Sequence, residues 1–262
     1  MATSVPSVRR TPAISIRLRV LVLPMVLAVF SSLTYSQNPE SVQQPKEYEQ
    51  FLAYWTTEAG WHSELQLRNN LPSQELVVSP VLRTADGTET AIPPVAVKPE
   101  EVALIDIGAS MPQLIGKYGS VVLRYRSGAS RSLYAAIMIH DLGHPIALHL
   151  DAVAEAQDYD PVSREGIWWL PNERAADYLV LTNQGKSSVA FDLSIYDAAG
   201  KKSKQIMTIG PRQTSRYSVR QLVRSVGLGG VYGGIKISAH AHAGSSIPSI
   251  SSLMSRLDSL HS

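Results

Sequence analysis

Short runs of alternating apolar and polar residues, spaced roughly ten residues apart, dominate the chain from residue 54 onward. The runs "SELQLRN" and "DYLVLTN" alternate with a period of two and stop at Asn, and "SVAFDLSIYDAAG" alternates into a turn with Asp and Gly. Only "MPQLIG" and "RQLVRSVG" suit a helical turn or two, so the long helices of a parallel α/β fold are not expected. The pattern predicts an all-β protein of antiparallel Ig-like β-sandwiches with short helical turns.

Several residues recur along the chain at one constant spacing. The matched pairs are Trp55 with Trp169, Leu65 with Leu179, Leu67 with Leu181, Asn69 with Asn183, Gly116 with Gly230, Tyr118 with Tyr232 and Gly119 with Gly233. Such a long-period repeat indicates a tandem duplication. We therefore predict two sandwich modules, over residues 54–151 and 167–262, each anchored by a buried tryptophan of the first pair.

The two predicted modules differ at their ends. The first continues through "SLYAAIMIHDLGHPIALHLDAV", which holds two further strands around an Asp-Leu-Gly turn, whereas "SISSLMSRLDSLHS" in the second has room for one. A missing last strand leaves an open sheet edge, and open edges invite pairing with another chain. We expect the second module to be incomplete and to bind another protein through that edge.

The N-terminal segment has the pattern of a secretory signal. Four arginines precede an apolar run over residues 20–30, and small residues at Thr34 and Ser36 precede a plausible cleavage point. We predict a signal peptide over residues 1–36, a polar spacer over 37–53 and an acidic polar linker over 152–166. The protein is expected to be periplasmic or extracellular, and to contact a membrane only if the signal segment stays uncleaved as an anchor.

Composition narrows the function classes. The chain has no cysteine, which excludes disulfides and thiolate metal sites. Without the four N-terminal arginines, 20 basic residues face 22 acidic ones, so the basic face of a nucleic-acid-binding protein is not expected. No G-x-S-x-G or comparable catalytic motif occurs, and no cofactor is expected.

Five histidines and two tryptophans are the candidate site residues. The histidines form two groups, His140, His144 and His149 on a hairpin, and His240 and His242 on one face of a strand. We expect His140 and His149 to face each other, but a metal would need a further converging ligand, and solvent-exposed histidines are the alternative. Trp61 and Trp168 are candidates for stacking on a sugar. Trp168 is expected to be exposed because it adjoins Trp169, the predicted core anchor, and neighbouring strand residues point to opposite faces.

The stretch "GIWWLPNERAADYLVLTNQGKSSVAFDLSIYDAAGK", with "GPRQTSRY" and "GGIKIS" after it, resembles repeat modules in exported proteins of certain bacteria. The resemblance covers about residues 54–255 and implies small tandem β-sandwiches without an assigned activity. The function expected is non-enzymatic binding or scaffolding at the cell envelope or outside the cell. Carbohydrate binding through an exposed tryptophan and metal-dependent hydrolysis are the two alternatives.

Overall fold

The computed structural model describes residues 44–143, 147–154, 163–173, 175–239 and 253–257. Within these residues, no helix has the length and apolar character needed to cross a membrane. The chain is mostly β and its strands pair in antiparallel sheets, which confirms the all-β prediction.

Residues 44–154 form what we call the first half of the molecule. Its elements are β1 (Lys46–Thr56), β2 (Trp61–Asn69), β3 (Leu76–Thr84), β4 (Glu89–Ala91), β5 (Val95–Val97), β6 (Val102–Asp106), α1 (Ile107–Ser110), a 3₁₀ turn (Pro112–Leu114), β7 (Tyr118–Ser127), β8 (Leu133–Asp141), β9 (Ala147–Asp151) and β10 (Val153–Ala154). One sheet has the order β10-β1-β7-β3-β4, with β5 also on β3, and the other has the order β6-β2-β8-β9.

The described residues from 163 onward form the second half. Its elements are β11 (Ser163–Trp169), β12 (Ala175–Thr182), β13 (Val189–Asp197), β14 (Lys202–Ile209), β15 (Thr214–Ser218), α2 (Val219–Ser225), β16 (Tyr232–Ala239) and β17 (Leu253–Leu257). One sheet has the order β11-β16-β13-β14 and the other β15-β12-β17. Both orders match those of the first half. β11, β16 and β13 correspond to β1, β7 and β3, and β14 corresponds to β4 and β5 together. In the other sheet, β15, β12 and β17 correspond to β6, β2 and β8. The strands β9 and β10 have no counterpart among the described residues of the second half.

Strands extend into two segments that the sequence analysis assigned to spacer and linker. β1 begins at Lys46, inside the predicted spacer, and both β10 and the start of β11 lie in the predicted linker. Charged residues at the outer ends of β1 and β11 hide the alternation there, because both ends are solvent-exposed.

The tryptophan anchors are Trp55 and Trp168, not Trp55 and Trp169. Trp55 pairs with Gly119 and Trp168 with Gly233, and both indoles are fully buried. A Cβ on Gly119 would lie 1.8 Å from the Arg83 carbonyl oxygen, and one on Gly233 would lie 2.0 Å from the Tyr196 carbonyl oxygen, so the close approach of β3 and of β13 needs a glycine at both positions.

The constant spacing predicts the wrong tryptophan because the connection to the next strand is one residue longer in the second half. Four residues separate β1 from β2, whereas five separate β11 from β12, so Trp55 lies ten residues before Leu65 and Trp168 lies eleven before Leu179. The pairing of β1 with β7 also shifts between Leu52 and Trp55, whereas β11 pairs with β16 without a shift. This β-bulge adds one residue to β1 on the N-terminal side of Trp55.

Asn69 and Asn183 play the same structural role in the two halves. Each side chain is buried, accepts a hydrogen bond from the backbone N–H two residues on, and donates to the carbonyl oxygens that end β5 or β14. Their backbone N–H groups also match, since they donate to Glu101 and Gln213. Buried amides of this kind fix the same turn after β2 and after β12.

The two halves pack against each other along β1. The core of the first half includes Val180 of β12 beside Leu52 and Tyr54, and the Thr182 hydroxyl donates to the Ala53 carbonyl oxygen at 2.8 Å. The residues of β12 alternate, so Leu179 and Leu181 face the core of the second half while Val180 and Thr182 face the first half.

Candidate functional site

The contact between the halves, which we call the internal junction, centres on Arg216 of β15. Its guanidinium forms a two-pronged ion pair with the Glu58 carboxylate and donates to the Tyr54 hydroxyl at 3.0 Å. The same guanidinium lies over the rings of Tyr118, at 4.6 Å from the centroid, and Tyr178, at 5.2 Å. Planar stacking plus a bidentate carboxylate is the geometry for which arginine is suited and lysine is not.

The electrostatics of the junction follow from partial burial. Burial alone lowers the pKa of Arg216, but its hydrogen bonds and charge interactions with Glu58 and Tyr54 outweigh that effect and raise the pKa. Burial raises the pKa of the Tyr54 hydroxyl, and Arg216 opposes part of that rise. The guanidinium therefore stays protonated, as its role as donor requires, and the Tyr54 phenol stays neutral.

A second set of contacts ties the hairpin after β3 to the second half. The backbone N–H of Thr214 donates to the Ala85 carbonyl oxygen at 3.1 Å. Glu89 accepts from Arg83 at 2.9 Å and from Arg212 at 3.0 Å, so one carboxylate bridges arginines of both halves. These bonds extend the junction across the end of the first sheet.

Trp61 lines a cavity of about 280 Å³ at the internal junction, together with Tyr54, Thr56, Glu58, Ala59, Tyr178 and Arg216. The indole is only 9% exposed, so it does not form the open stacking platform considered for a sugar.

Trp168 is fully buried, which makes the expectation of an exposed Trp168 wrong. The exposed member of the pair is Trp169, at 48%, because Trp168 takes the core position opposite Gly233. The sequence carried a signal for Trp169, since adjacent strand residues face opposite ways, but the extra residue between β11 and β12 inverted the assignment of faces.

Trp169 belongs to a cluster of exposed apolar side chains at the end of β11. Ile167 is 73% exposed, Val231 47% and Tyr232 54%. Trp169 and Tyr232 are directly opposite in the antiparallel register, and the Leu170 N–H donates to the Val231 carbonyl oxygen. We call Ile167, Trp169, Val231 and Tyr232, with the free edge of β11, the β11 surface. Clustered exposed apolar residues mark interaction sites more often than scattered ones do.

The edge of β11 differs from the corresponding edge of the first half. β10 covers β1 through the antiparallel pairs Gln50 with Ala154 and Phe51 with Val153. Among the described residues, β11 pairs with β16 alone. Its outer backbone groups, apart from the Trp169 N–H that donates to Asp177, therefore have the geometry to accept an additional strand.

Exposed apolar residues also occur on the outer face of β6. Val102 is 55% exposed and Leu104 59%, and they pair with Arg68 and Gln66 of β2. We call the outward side chains of β2 and β6 the β2–β6 face. No sequence pattern marked it, because the alternation of these short strands looks like any half-buried sheet.

The histidines do not converge on a metal site in the described residues, which hold no group of three or more metal-ligating side chains. His149 lies opposite Met138, not His140, so the expected pairing across the hairpin is wrong because the register is shifted by two residues. His140 instead faces His62, with ring centroids 5.8 Å apart. His144, His240 and His242 lie outside the described residues.

No family model, curated protein or solved structure matches the chain.

Proposed function

We propose that this is an exported, non-enzymatic binding or scaffolding protein, built from two tandem Ig-like β-sandwich modules. In this proposal the protein acts in the periplasm or outside the cell and holds another protein at the β11 surface. The arginine-rich N-terminal segment with its apolar run supports export. The matched strand orders and the shared roles of Asn69 and Asn183 support the duplication.

The observation that carries the proposal is the contrast between β1 and β11. β1 has its edge paired with β10 and its end packed under the second half, whereas β11 presents a free edge and four exposed apolar residues in the described structure. A protein partner fits this surface best, since an extended segment can pair with the edge while apolar side chains cover the cluster.

Site-specific photocross-linking tests the proposal. A photoreactive amino acid in place of Ile167 should cross-link a protein in the cells that produce this chain, because the side chain lies in the proposed contact. The control is the same substitution at Ile206, which is 71% exposed on β14, at the opposite edge of the same sheet. Equal labelling at both positions, or no adduct at Ile167, would contradict the proposal.

A second candidate function is carbohydrate binding through Trp169 and Tyr232. The two rings lie opposite each other in register and each is about half exposed, which suits stacking against a sugar face. A glycan array would test this candidate, with a signal expected for the native chain and lost in Trp169→Ala. Retention of the signal in that variant would assign it elsewhere.

A further inference from the structure

We propose that the partner at the β11 surface is a second copy of this chain, which docks its β2–β6 face there in a head-to-tail contact. This inference rests on the proposed function, because it names the partner of the same surface. The internal junction between the two halves is the template for the proposed contact between two chains. In that junction, the outer face of β12 and β15 packs on the end of β1, and the equivalents of both sides are exposed in the part of the chain that the structure describes.

On the docking side, which is the β2–β6 face, the strand register identifies the residues equivalent to those of the internal junction. In the first half Gln66 pairs with Leu104, and in the second half Val180 pairs with Arg216. In the same way Asp106 and Ser218 are the N-caps of α1 and α2, with nearly identical backbone angles. Leu104 of the β2–β6 face therefore stands where Arg216 stands in the internal junction.

The receiving side, which is the β11 surface, corresponds equally well to the end of β1 in the internal junction. The Thr57 N–H donates to the carbonyl oxygen of Lys117, and the Leu170 N–H donates to the carbonyl oxygen of Val231. Glu58 and Pro171, which directly follow these two donors, are therefore equivalent. Tyr118 and Tyr232 are equivalent through their glycine neighbours, which pair with the two tryptophan anchors. Ile167 directly precedes the second anchor, as Tyr54 precedes the first.

Both sides of the proposed contact differ in chemistry from the two sides of the internal junction. In the internal junction a cation, Arg216, meets an anion, Glu58, and a tyrosine hydroxyl. At the equivalent positions an apolar side chain, Leu104, would meet Pro171 and Ile167. The change conserves complementarity, because charge faces charge in one contact and apolar surface faces apolar surface in the other.

Exposure shows which of these surfaces are free. Tyr54 is fully buried and Thr214 is 2% exposed where the halves meet. Their counterparts Ile167 and Val102 are 73% and 55% exposed. The free apolar side chains thus lie at the positions that the internal junction covers, on both the receiving and the docking side.

The two surfaces lie on different halves, so the contact is heterologous. A heterologous contact leaves a free surface at each end of a dimer, and repetition gives a ring or an open chain of copies. We therefore expect concentration-dependent assembly larger than a dimer.

Sedimentation velocity on two complementary variants tests the inference. Leu104→Arg removes the docking side and Ile167→Lys the receiving side, and each should weaken self-association at least about tenfold because a charge is buried without a partner. Mixed together, the two variants should form a complex of one copy each that does not grow, since each supplies the surface that the other lacks. Ile206→Lys, a matched exposed control, should assemble as the native chain does.

A third variant transplants the internal ion pair into the contact. Pro171→Glu combined with Leu104→Arg in one chain should restore the self-association that Leu104→Arg alone loses, because the new pair copies Arg216 and Glu58. All of these positions except Pro171 are exposed, so folding is expected to persist, and circular dichroism of each variant checks it.

The outcomes separate this inference from the proposed function. A native chain that stays monomeric at its highest soluble concentration, or assembly that ignores both variants, overturns the head-to-tail contact. If a different protein is then cross-linked at Ile167, the proposed function stands alone. If Ile167 cross-links nothing, both fail. A cross-link from Ile167 to β2 or β6 of a second copy supports both.

Discussion

The ends of β1 and β11 share one framework and have opposite surfaces. Both strands carry a buried tryptophan against a glycine, and both are followed by the same backbone hydrogen bond to the start of β7 or β16. Around β1, however, the neighbours are Glu58 and a stacked Arg216, whereas around β11 they are exposed apolar residues. The residues without which the strands cannot close are therefore shared by the two halves, while the residues at the contact surface differ in kind.

The largest expected effect concerns the tryptophan anchors. Trp168→Ala should destabilise the protein by about 3–5 kcal/mol, as Trp55→Ala should, because each leaves a large cavity in a fully buried core position. Trp169→Ala should cost less than about 1 kcal/mol, since its side chain is half exposed. Urea denaturation of the three variants measures these free energies. A larger loss for Trp169→Ala than for Trp168→Ala would contradict the register in which Trp168 is the anchor.

A smaller effect concerns Asp177, which stands where the first half has Ser63. The Ser63 hydroxyl accepts from the Thr56 N–H, and the Asp177 carboxylate accepts from the Trp169 N–H at 3.0 Å. Burial raises the pKa of Asp177 to about 6, because the charged form loses its hydration, although backbone hydrogen bonds oppose the rise. In the first half, the neutral Ser63 hydroxyl thus satisfies the equivalent backbone N–H, and no charge is buried there.

The pH dependence of folding follows from that difference. The folded-state pKa of Asp177 lies above the unfolded value, so the folded state binds more protons between about pH 4 and 6. The contribution of Asp177 to the free energy of unfolding should fall as pH rises through this window and then level off. Asp177→Asn keeps an acceptor for the Trp169 N–H and should stabilise the protein by about 1–2 kcal/mol at pH 7. Urea denaturation across pH 4–7.5 checks this, with exposed Glu165→Gln as the control, and an unchanged slope in Asp177→Asn would contradict it.

The smallest effect concerns a strained turn found in both halves. Glu100 and Arg212 each have a φ of 59° and follow a proline in a tight turn. The carbonyl oxygen of the next residue accepts from the N–H of Asn69 or Asn183. Glu100→Gly should stabilise the protein by roughly 0.5 kcal/mol, because relief of the left-handed strain slightly exceeds the entropy that glycine loses on folding. Arg212→Gly should gain less, since it also removes the ion pair with Glu89. Thermal unfolding measures both changes, and a greater gain for Arg212→Gly would contradict this account.

The periodicity of the sequence predicted most of the fold. It identified the strands around Leu65 and Leu179, the helical turns and the lack of long helices, because alternation and turn residues are local signals. It did not identify the bulge in β1 or the extra residue between β11 and β12, since one inserted residue changes the spacing without changing the composition. The residue inserted between β11 and β12 inverted the assignment of Trp168 and Trp169.

The candidate site was less predictable than the fold. The length of the last segment predicted an open edge beside the last strand of the second half, which stays a prediction. The β11 surface belongs to the other sheet and was not expected, because Val231 and Ile167 look like ordinary core residues in a strand. The ion pair of Arg216 with Glu58 joins residues far apart in sequence. Such contacts depend on how the halves pack, which no local pattern encodes. The resemblance to exported repeat modules and the carbohydrate and metal alternatives stay predictions.

Amide hydrogen exchange, measured residue by residue, tests most directly the claim that the halves share one framework and differ at β11. The Asn69 and Asn183 amides should be similarly protected, because they donate to equivalent carbonyl oxygens. In dilute protein, the β11 amides that point away from β16 should exchange quickly, except that of Trp169, which donates to Asp177, whereas those of β1 that point toward β10 should be slow. Equal protection at these two edges, or a protected Asn69 beside an unprotected Asn183, would contradict the account.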